Sequence, residues 1–175
     1  LIFMNSFRTS ADTMDALARY EDLAVPGLPL EFLQSKEPKL LTKDLTPVSW
    51  PKDPELEWCP PGHGDIYPAM VGTGLLDKLA EAGFERVFVS NSDNLGAVPD
   101  ARVAGWFATS GAPFAIEAVQ RTASDKKGGH FARRKGDGRI VLRETAQTPA
   151  HDHQALADLT RHRYASTNNI WFDIA

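Results

Sequence analysis

The chain has 175 residues, enough to bury a substantial core as one domain or a large part of one. Its net charge of −4, from 19 basic and 23 acidic side chains, and its lack of a long basic run argue against a nucleic-acid-binding protein. No stretch approaches the roughly 20 apolar residues of a membrane span, and the single cysteine, Cys59, excludes an internal disulfide and a cysteine-rich zinc site.

The first third of the sequence predicts two short strands around one helix. Leu1–Asn5 is an apolar run typical of a buried strand, and a helix with a capping-box-like start is expected from Thr9 to about Arg19. Leu30–Gln34 predicts a second strand, and 35–57 predicts loops and short turns. An apolar run without an initiator methionine also indicates a fragment of a longer protein.

The middle of the sequence alternates between helices and strands. Gly74–Ala82 places leucines on one helical face, and Gly83 suits a left-handed helix end. Arg86–Asn91 predicts a strand, a helix is expected near 100–110, and Phe114–Gln120 predicts another strand.

The last third of the sequence predicts a hairpin, a helix and a strand. Gly136–Gly138 forms the expected turn before a strand at Arg139–Thr145, a helix is expected around Gln154–Arg161, and Ile170–Ile174 predicts the final strand. The alternation favours an α/β domain with a mostly parallel sheet and flanking helices. Ligands of such sheets bind beyond the carboxyl ends of the strands, where loops follow Gln34, RVFVS and the strand of 114–120.

Residues 58–68, WCPPGHGDIYP, set one histidine between prolines and glycines. The glycines would let backbone N–H groups and the His63 imidazole face an anion together. The alternative is an exposed histidine in a proline-rich turn. His63 and Asp65 also suggest a hydrolase pair, but no serine lies in a nucleophile-elbow motif.

Asp93 leaves the strand RVFVSN between Asn91 and Asn94. A carboxylate there suits Mg²⁺, which prefers one or two carboxylates together with waters and phosphates. The alternative is an Asx turn in which Asp93 bonds its own backbone.

Three further positions suit ligand contact, each with a structural alternative. Gly128-Gly129 would allow close backbone approach or end a hairpin. Glu144 would accept hydrogen bonds from sugar hydroxyls or pair with Arg143 or Arg121. Asn168-Asn169 would recognise hydroxyl groups or form a turn.

Histidines and aromatic residues elsewhere predict structure rather than chemistry. His151 and His153 resemble a metal-binding pair, but only His162 lies nearby, so a polar loop or helix entry is favoured. Trp58, Trp106 and Phe107 are expected in the core rather than as base-stacking platforms; all three carry large apolar rings.

Seven segments in order resemble the UTP–glucose-1-phosphate uridylyltransferase (UDP-glucose pyrophosphorylase) family. The histidine-containing PPGHGD distinguishes this family from UDP-N-acetylhexosamine pyrophosphorylases. The matching segments are FMNSF (3–7), PLEFLQSKEPKL (29–40), WCPPGHGDIY (58–67), GLLDKLAEAGFERVFVSNSDNLGA (74–97), EAVQRTASDKKGG (117–129), RETAQTP (143–149) and TNNIWF (167–172).

This resemblance implies the central portion, 1–175, of one glycosyltransferase-A-like (Rossmann-like) nucleotidyltransferase domain. The family's N-terminal glycine-rich loop, a lysine after TNNIW and a C-terminal β-helical domain would lie outside it. The implied reaction is the reversible, Mg²⁺-dependent formation of UDP-glucose and pyrophosphate from UTP and glucose 1-phosphate in the cytoplasm. Alternatives are a nucleotide-sugar-binding fragment that is inactive alone and a UDP-sugar pyrophosphorylase of broader sugar specificity.

The resemblance also implies individual roles. His63, over the sugar phosphate, and Asp93, holding Mg²⁺, are the expected catalytic residues, and we expect them to meet in space. The expected substrate-binding residues are Gln34 and Gly62 at uracil, together with His63, Asn91, and the glucose-pocket residues Gly129, Glu144 and Asn168. Neither a nucleic acid nor a membrane is an expected partner.

Overall fold

The computed structural model describes residues 1–125 and 128–174, so the predicted basic pair Lys126-Lys127 and Ala175 lie outside the described residues. The chain divides into two compact units, Leu1–Glu85 and Arg86–Ala175. Across the described ranges, no helix has both the length and the apolar character needed to cross a bilayer.

The first unit begins with two parallel strands joined through a helix. Strand β1 (Phe3–Asn5) pairs in parallel with β2 (Glu31–Leu33), with Asn5 opposite Leu33. Helix α1 (Ser10–Leu17) lies between them in sequence, and a 3-10 turn follows at Glu21–Leu23. The predicted strand-helix-strand order is confirmed, although both strands are shorter than predicted.

The capping box predicted at the start of α1 is wrong. The Thr9 side chain makes no cap hydrogen bond to the helix. Its hydroxyl oxygen instead accepts a hydrogen bond from the backbone N–H of Ser6 at 3.0 Å. The Thr9 side chain therefore stabilises the tight turn before the helix, and does not cap the helix as the sequence pattern predicts.

The rest of the first unit is mostly loop followed by two helices. Within and after the predicted loop, β3 (Glu37–Pro38) and β4 (Trp58–Cys59) form a short antiparallel pair. Helix α2 (Ile66–Gly72) was not predicted, because Pro68 reads as a helix breaker although it lies in the first turn, where proline is tolerated. Helix α3 (Leu75–Glu81) is confirmed, with the expected left-handed Gly83 at φ +83°.

In the described part of the second unit, five strands form one sheet around its last strand. The elements are β5 (Arg86–Val89), α4 (Ala101–Ser110), β6 (Phe114–Gln120), β7 (His130–Arg133), β8 (Ile140–Arg143), α5 (His153–Ala157) and the central β9 (Tyr164–Asp173). Strand β9 pairs with β6 along one edge, and with β5 and β7 at separate positions along the other edge.

The predicted mostly parallel sheet is wrong. Every strand pair of the second unit's described residues is antiparallel, and β1–β2 is the one parallel pair among the described strands. Strands β5 and β6 flank β9 on opposite edges and both run antiparallel to it. They therefore point the same way, as a strand-helix-strand unit predicts, but a strand from the end of the chain separates them.

Two predicted elements near the C-terminus have different bounds. Strand β9 begins at Tyr164 rather than Ile170, because the polar stretch YASTNN does not show the apolar pattern of a central strand. Helix α5 ends at Ala157 rather than Arg161. Its end follows from Asp158, whose carboxylate accepts hydrogen bonds from the Thr160 N–H at 2.8 Å and hydroxyl at 2.7 Å in a turn.

Aromatic rings connect α4 to the sheet. The Trp171 ring of β9 lies 4.5 Å from that of Phe88 and 6.3 Å from that of Phe107, which is 2% exposed. The neighbouring Trp106 is 58% exposed, so its predicted place in the core is wrong. Successive helix residues point about 100° apart, so only one of the two rings can face the sheet.

We expect Phe107→Ala to lower the free energy of unfolding by about 3–5 kcal/mol, because it leaves a cavity beside Trp171. Denaturant titration measures the change. Trp106→Ala, on the exposed side of the same helix, is the matched control and should change stability by less than about 1 kcal/mol. Equal effects of the two substitutions would contradict this assignment of the core.

Candidate functional site

In the first unit, two residues predicted to bind substrate, Gln34 and Gly62, are hydrogen-bonded to each other. The backbone N–H of Gly62 donates to the Gln34 side-chain oxygen at 3.1 Å. Gln34 is itself held at the end of β2, where its backbone N–H donates to the Asn5 carbonyl at 2.8 Å. The strand end and the histidine loop are thereby joined through the two groups that the family resemblance predicts at uracil.

Asp65 anchors the histidine loop and does not act as a hydrolase partner of His63. Asp65 is 8% exposed, and its carboxylate accepts hydrogen bonds from the Ser35 N–H at 2.5 Å and the Ser35 hydroxyl at 3.0 Å. These bonds hold the loop against the residue after Gln34, and they occupy both carboxylate oxygens.

His63 itself is exposed at the start of a 3-10 turn, His63–Asp65, that leads into α2. The preceding Gly62 has φ +99° and ψ −161°, a conformation that side chains other than that of glycine strongly disfavour. The loop therefore needs glycine at 62 to present the imidazole to solvent.

In the second unit, Asn91 and Asn168 come together from positions 77 residues apart. The Asn168 side-chain amide donates to the Asn91 side-chain oxygen at 2.6 Å. Asn168 lies within β9 at φ +61°, a left-handed conformation that asparagine tolerates better than most residues. The alternative of a simple turn at 168–169 is wrong, since both residues belong to the central strand.

Gly129 and Glu144 are in contact beside β9, on the edge of β9 that also pairs with β5. A Cβ atom at Gly129 would overlap the Glu144 carboxylate and lie 3.1 Å from the Leu142 side chain. The Gly129 carbonyl accepts a hydrogen bond from the Ser166 N–H at 2.9 Å, two residues before Asn168. Gly129 therefore lies close to a carboxylate of its own chain, and the approach of its backbone to a ligand stays a prediction.

Glu144 is not paired with arginine in the described structure. Arg143 forms an ion pair with Asp152, and Arg121 donates to backbone carbonyls, with a distance of 2.8 Å to that of His162. Of the alternatives for Glu144, both ion pairs are therefore wrong. Its carboxylate keeps its capacity to accept hydrogen bonds.

Asp93 lies exposed in the turn that follows β5. The predicted alternative, an Asx turn at Asp93, is wrong because Asn94 makes that turn by accepting the Gly96 N–H at 3.3 Å. Within the described ranges, no hydrogen bond or ion pair is made by the Asp93 carboxylate. A single accessible carboxylate of this kind fits Mg²⁺, which binds one or two carboxylates and completes its shell with water and phosphate oxygens.

In the second unit, the predicted site residues form two contacting pairs, Asn91 with Asn168 and Gly129 with Glu144, and hydrogen bonds through Ser166 link the pairs. In the first unit Gln34 and Gly62 are linked, with His63 next to them in sequence. The meeting of His63 with Asp93 stays a prediction.

Comparison with known proteins identifies the family. A model of the UTP–glucose-1-phosphate uridylyltransferase family matches residues 1–175. The chain belongs to this family. It is 36% identical over 174 residues to a probable UTP–glucose-1-phosphate uridylyltransferase of Schizosaccharomyces pombe, covering 99% of this chain and 34% of that protein. The Solanum tuberosum enzyme is 33% identical over 176 residues, covering 100% and 36% respectively.

Solved structures agree with the sequence match. The UDP-glucose phosphorylase of Trypanosoma brucei superimposes with a TM-score of 0.92 at 40% identity, covering 99% of this chain and 37% of that one. A variant UDP-glucose pyrophosphorylase of Leishmania major in complex with UDP-glucose gives a TM-score of 0.89 at 42% identity, covering 99% and 39%. The chain therefore spans about a third of the length of the curated relatives it matches.

Sequence reasoning missed Glu117, which lies in β6 opposite the Asn168 segment. Its carboxylate accepts hydrogen bonds from the Asn169 side-chain amide at 3.0 Å and the Trp171 indole N–H at 2.8 Å. The signal was present, because Glu117 is the one charged residue in FAIEAVQ, and a charge in an apolar strand needs partners.

The three C-terminal histidines do not form a metal site. A ring nitrogen of His153 lies 2.7 Å from the Thr148 carbonyl, and the described residues contain no group of three or more histidine, cysteine or acidic side chains suited to a metal ion. Burial lowers the pKa of His162 below its ordinary value of 6.5, and the charges of Arg143 and Arg161 lower it further.

We expect Asp65→Asn to lower the free energy of unfolding by about 1–3 kcal/mol, because an amide cannot accept both Ser35 hydrogen bonds. Urea titration measures the change. Asp93→Asn, which removes an exposed carboxylate without intramolecular partners in the described structure, is the control and should cost less than about 0.5 kcal/mol. If Asp65→Asn is equally neutral, the loop is not anchored as described.

We expect His162 to make the protein less stable as pH falls below about 6.5. The unfolded chain takes up a proton at the ordinary pKa, whereas the folded protein resists it, so stability is fully present above that pH and declines below it. Unfolding free energies measured between about pH 7.5 and 5.5 test this. His162→Gln should flatten the profile, and an unchanged slope would contradict the assignment.

Proposed function

We propose that the protein of which these residues are a part transfers a uridylyl group between UTP and glucose 1-phosphate. The products are UDP-glucose and pyrophosphate, and the reaction is reversible. The observation that carries the proposal is the linked set Asn91, Gly129, Glu144 and Asn168 in a chain whose family includes a solved complex with UDP-glucose. We further propose that the complete catalytic domain has a glycosyltransferase-A-like fold, of which 1–175 is the central portion.

In the first unit, Gln34 and Gly62 would read the uracil edge. That edge presents a carbonyl, an N–H and a second carbonyl in a row. The Gly62 N–H can donate to a carbonyl, and the Gln34 amide can accept from the N–H, so the pair is complementary to uracil once its mutual hydrogen bond of 3.1 Å is exchanged. The exposed His63 would contact the sugar phosphate.

In the second unit, the linked residues would bind glucose. Glu144 supplies a carboxylate that accepts from hydroxyl groups, and the amides of Asn91 and Asn168 both donate and accept. The Glu144 carboxylate lies against the backbone of Gly129, where a Cβ atom would overlap it, so the two would be close enough to contact one ring together.

Asp93 is the residue that would hold Mg²⁺. The ion would supply positive charge that neutralises the nucleotide phosphates. The fit rests on a carboxylate that is exposed and has no intramolecular hydrogen bond within the described residues.

The chemistry requires no protein nucleophile. An oxygen of glucose 1-phosphate attacks the α-phosphorus of UTP, and the bond from that phosphorus to the oxygen of the leaving pyrophosphate breaks. The residues act by holding the uracil, the sugar and the phosphates in line. Cys59, the only cysteine of the chain, supports a reducing location such as the cytoplasm.

We expect Asp93→Asn to reduce kcat at least about 100-fold in the polypeptide that contains these residues, because a charge partner of the transition state is lost. Pyrophosphorolysis of UDP-glucose with and without Mg²⁺ measures this. Asp77→Asn, an exposed helical carboxylate, is the control and should retain activity.

Failure of the wild-type polypeptide to release UTP in the presence of Mg²⁺ and pyrophosphate would overturn the proposed reaction. Comparison of glucose 1-phosphate with galactose 1-phosphate separates the glucose enzyme from the broader alternative. Binding of UDP-glucose without turnover would instead favour the nucleotide-sugar-binding alternative.

A further inference from the structure

Strand β9 contains an irregularity beside the candidate sugar site. Ile116 pairs with Ile170 and Ala118 pairs with Ser166, so the single residue between them on β6 faces three residues on β9. That residue is Glu117, and the three opposite it are 167–169. Such bulges re-aim side chains and are frequent beside active sites.

Glu117 holds this bulge through three acceptors. One carboxylate oxygen accepts from the Asn169 amide at 3.0 Å and the other from the Trp171 indole at 2.8 Å. Its backbone carbonyl accepts from the Thr167 hydroxyl at 3.0 Å. The residues on both sides of Asn168 are therefore tied to one residue of the neighbouring strand.

We propose that Glu117 is a positioning residue for sugar recognition, acting through Asn168. This rests on the proposed function, in which Asn168 contacts glucose. Asn168 makes no hydrogen bond to Glu117 in the described structure, but its left-handed backbone at φ +61° persists because its two neighbours are fixed. That backbone brings the amide to Asn91 at 2.6 Å.

The charge of Glu117 is what the arrangement requires. Both side chains that it contacts present N–H groups, and an ionised carboxylate offers acceptors on both oxygens. A glutamine at 117 would place its NH₂ group against one of those N–H donors, and two donors cannot form a hydrogen bond with each other. Glu117→Gln therefore breaks one of the two contacts while keeping the size of the side chain.

The first test compares two ligands that differ only in the sugar. Isothermal titration of the polypeptide that contains these residues should show that Glu117→Gln weakens UDP-glucose binding about tenfold or more and leaves UDP binding unchanged, because only the sugar contacts are displaced. Leu156→Ala, a core substitution in the same unit away from the bulge, is the control for general destabilisation and should leave both affinities unchanged.

Equal weakening of both ligands, or of neither, would overturn the positioning role. If Glu117→Gln does not fold, Asn169→Ala breaks the same hydrogen bond from the other side and should reproduce the ligand-specific loss. Wild-type protein that binds neither ligand would refute the proposed function, and the second test then decides alone whether Glu117 positions Asn168.

The second test needs no ligand. Residues 1–175 contain five asparagines, and ¹⁵N-asparagine labelling of the polypeptide that contains them, assigned with single Asn91→Ser and Asn168→Ser variants, identifies the side-chain amide signals of these two. Glu117→Gln should shift both of these signals and remove the cross-peak between them, while the Asn5 signal stays in place. A shift confined to Asn169 would show that the bulge keeps its shape without the carboxylate, and would overturn the inference.

Discussion

Strand β9 lies at the centre of a sheet although its middle segment is polar. The second unit depends on the hydrogen bonds that satisfy these polar groups. Buried polar groups need hydrogen-bond partners, and here they lie within the segment and on its neighbours. The Ser166 hydroxyl accepts the Asn168 N–H at 3.1 Å, and the Thr167 hydroxyl accepts the Asn169 N–H at 3.2 Å. A network satisfied in this way is rigid, and rigidity is what a site that works by orientation needs.

The two units position their candidate residues by different means. In the second unit β9, a strand paired on both edges, carries Asn168, and the other candidate residues lie just beyond the ends of neighbouring strands. In the first unit the strands are only three residues long, and a buried carboxylate, Asp65, ties the histidine loop to the strand end. Polar anchoring thus replaces extended pairing where the backbone is mostly loop.

Local sequence signals predicted the elements with local causes. Strand β6 has the predicted bounds, and α4 begins where Asp100 accepts the Arg102 N–H at 2.7 Å and ends at left-handed Gly111. Strand direction was wrong because β5 and β6 pair with a strand from much later in the chain. Glu117 was missed for the same reason, since its side-chain partners lie 52 and 54 residues away.

Local patterns could not choose between the structural alternatives at Asp93 and Glu144. The chemistry of the sequence alone favoured an Asx turn at Asp93, because such turns are common, and the structure assigns that turn to Asn94. Likewise, composition offered Glu144 an arginine partner, whereas Arg143 is engaged by Asp152. To choose between two adjacent side chains, one must know which residues the folded chain brings next to each of them, and local sequence does not contain that information.

The hydrogen bond between Gln34 and Gly62 has a thermodynamic consequence. Polar groups left without hydrogen-bond partners in an empty site would carry a desolvation penalty, but here the Gly62 N–H and the Gln34 oxygen satisfy each other while no ligand is bound. If these groups bind uracil as proposed, the base must displace an internal partner, and only a base that returns both a donor and an acceptor compensates for the lost hydrogen bond. The contact between Gln34 and Gly62 would then disfavour molecules that offer a single matching atom.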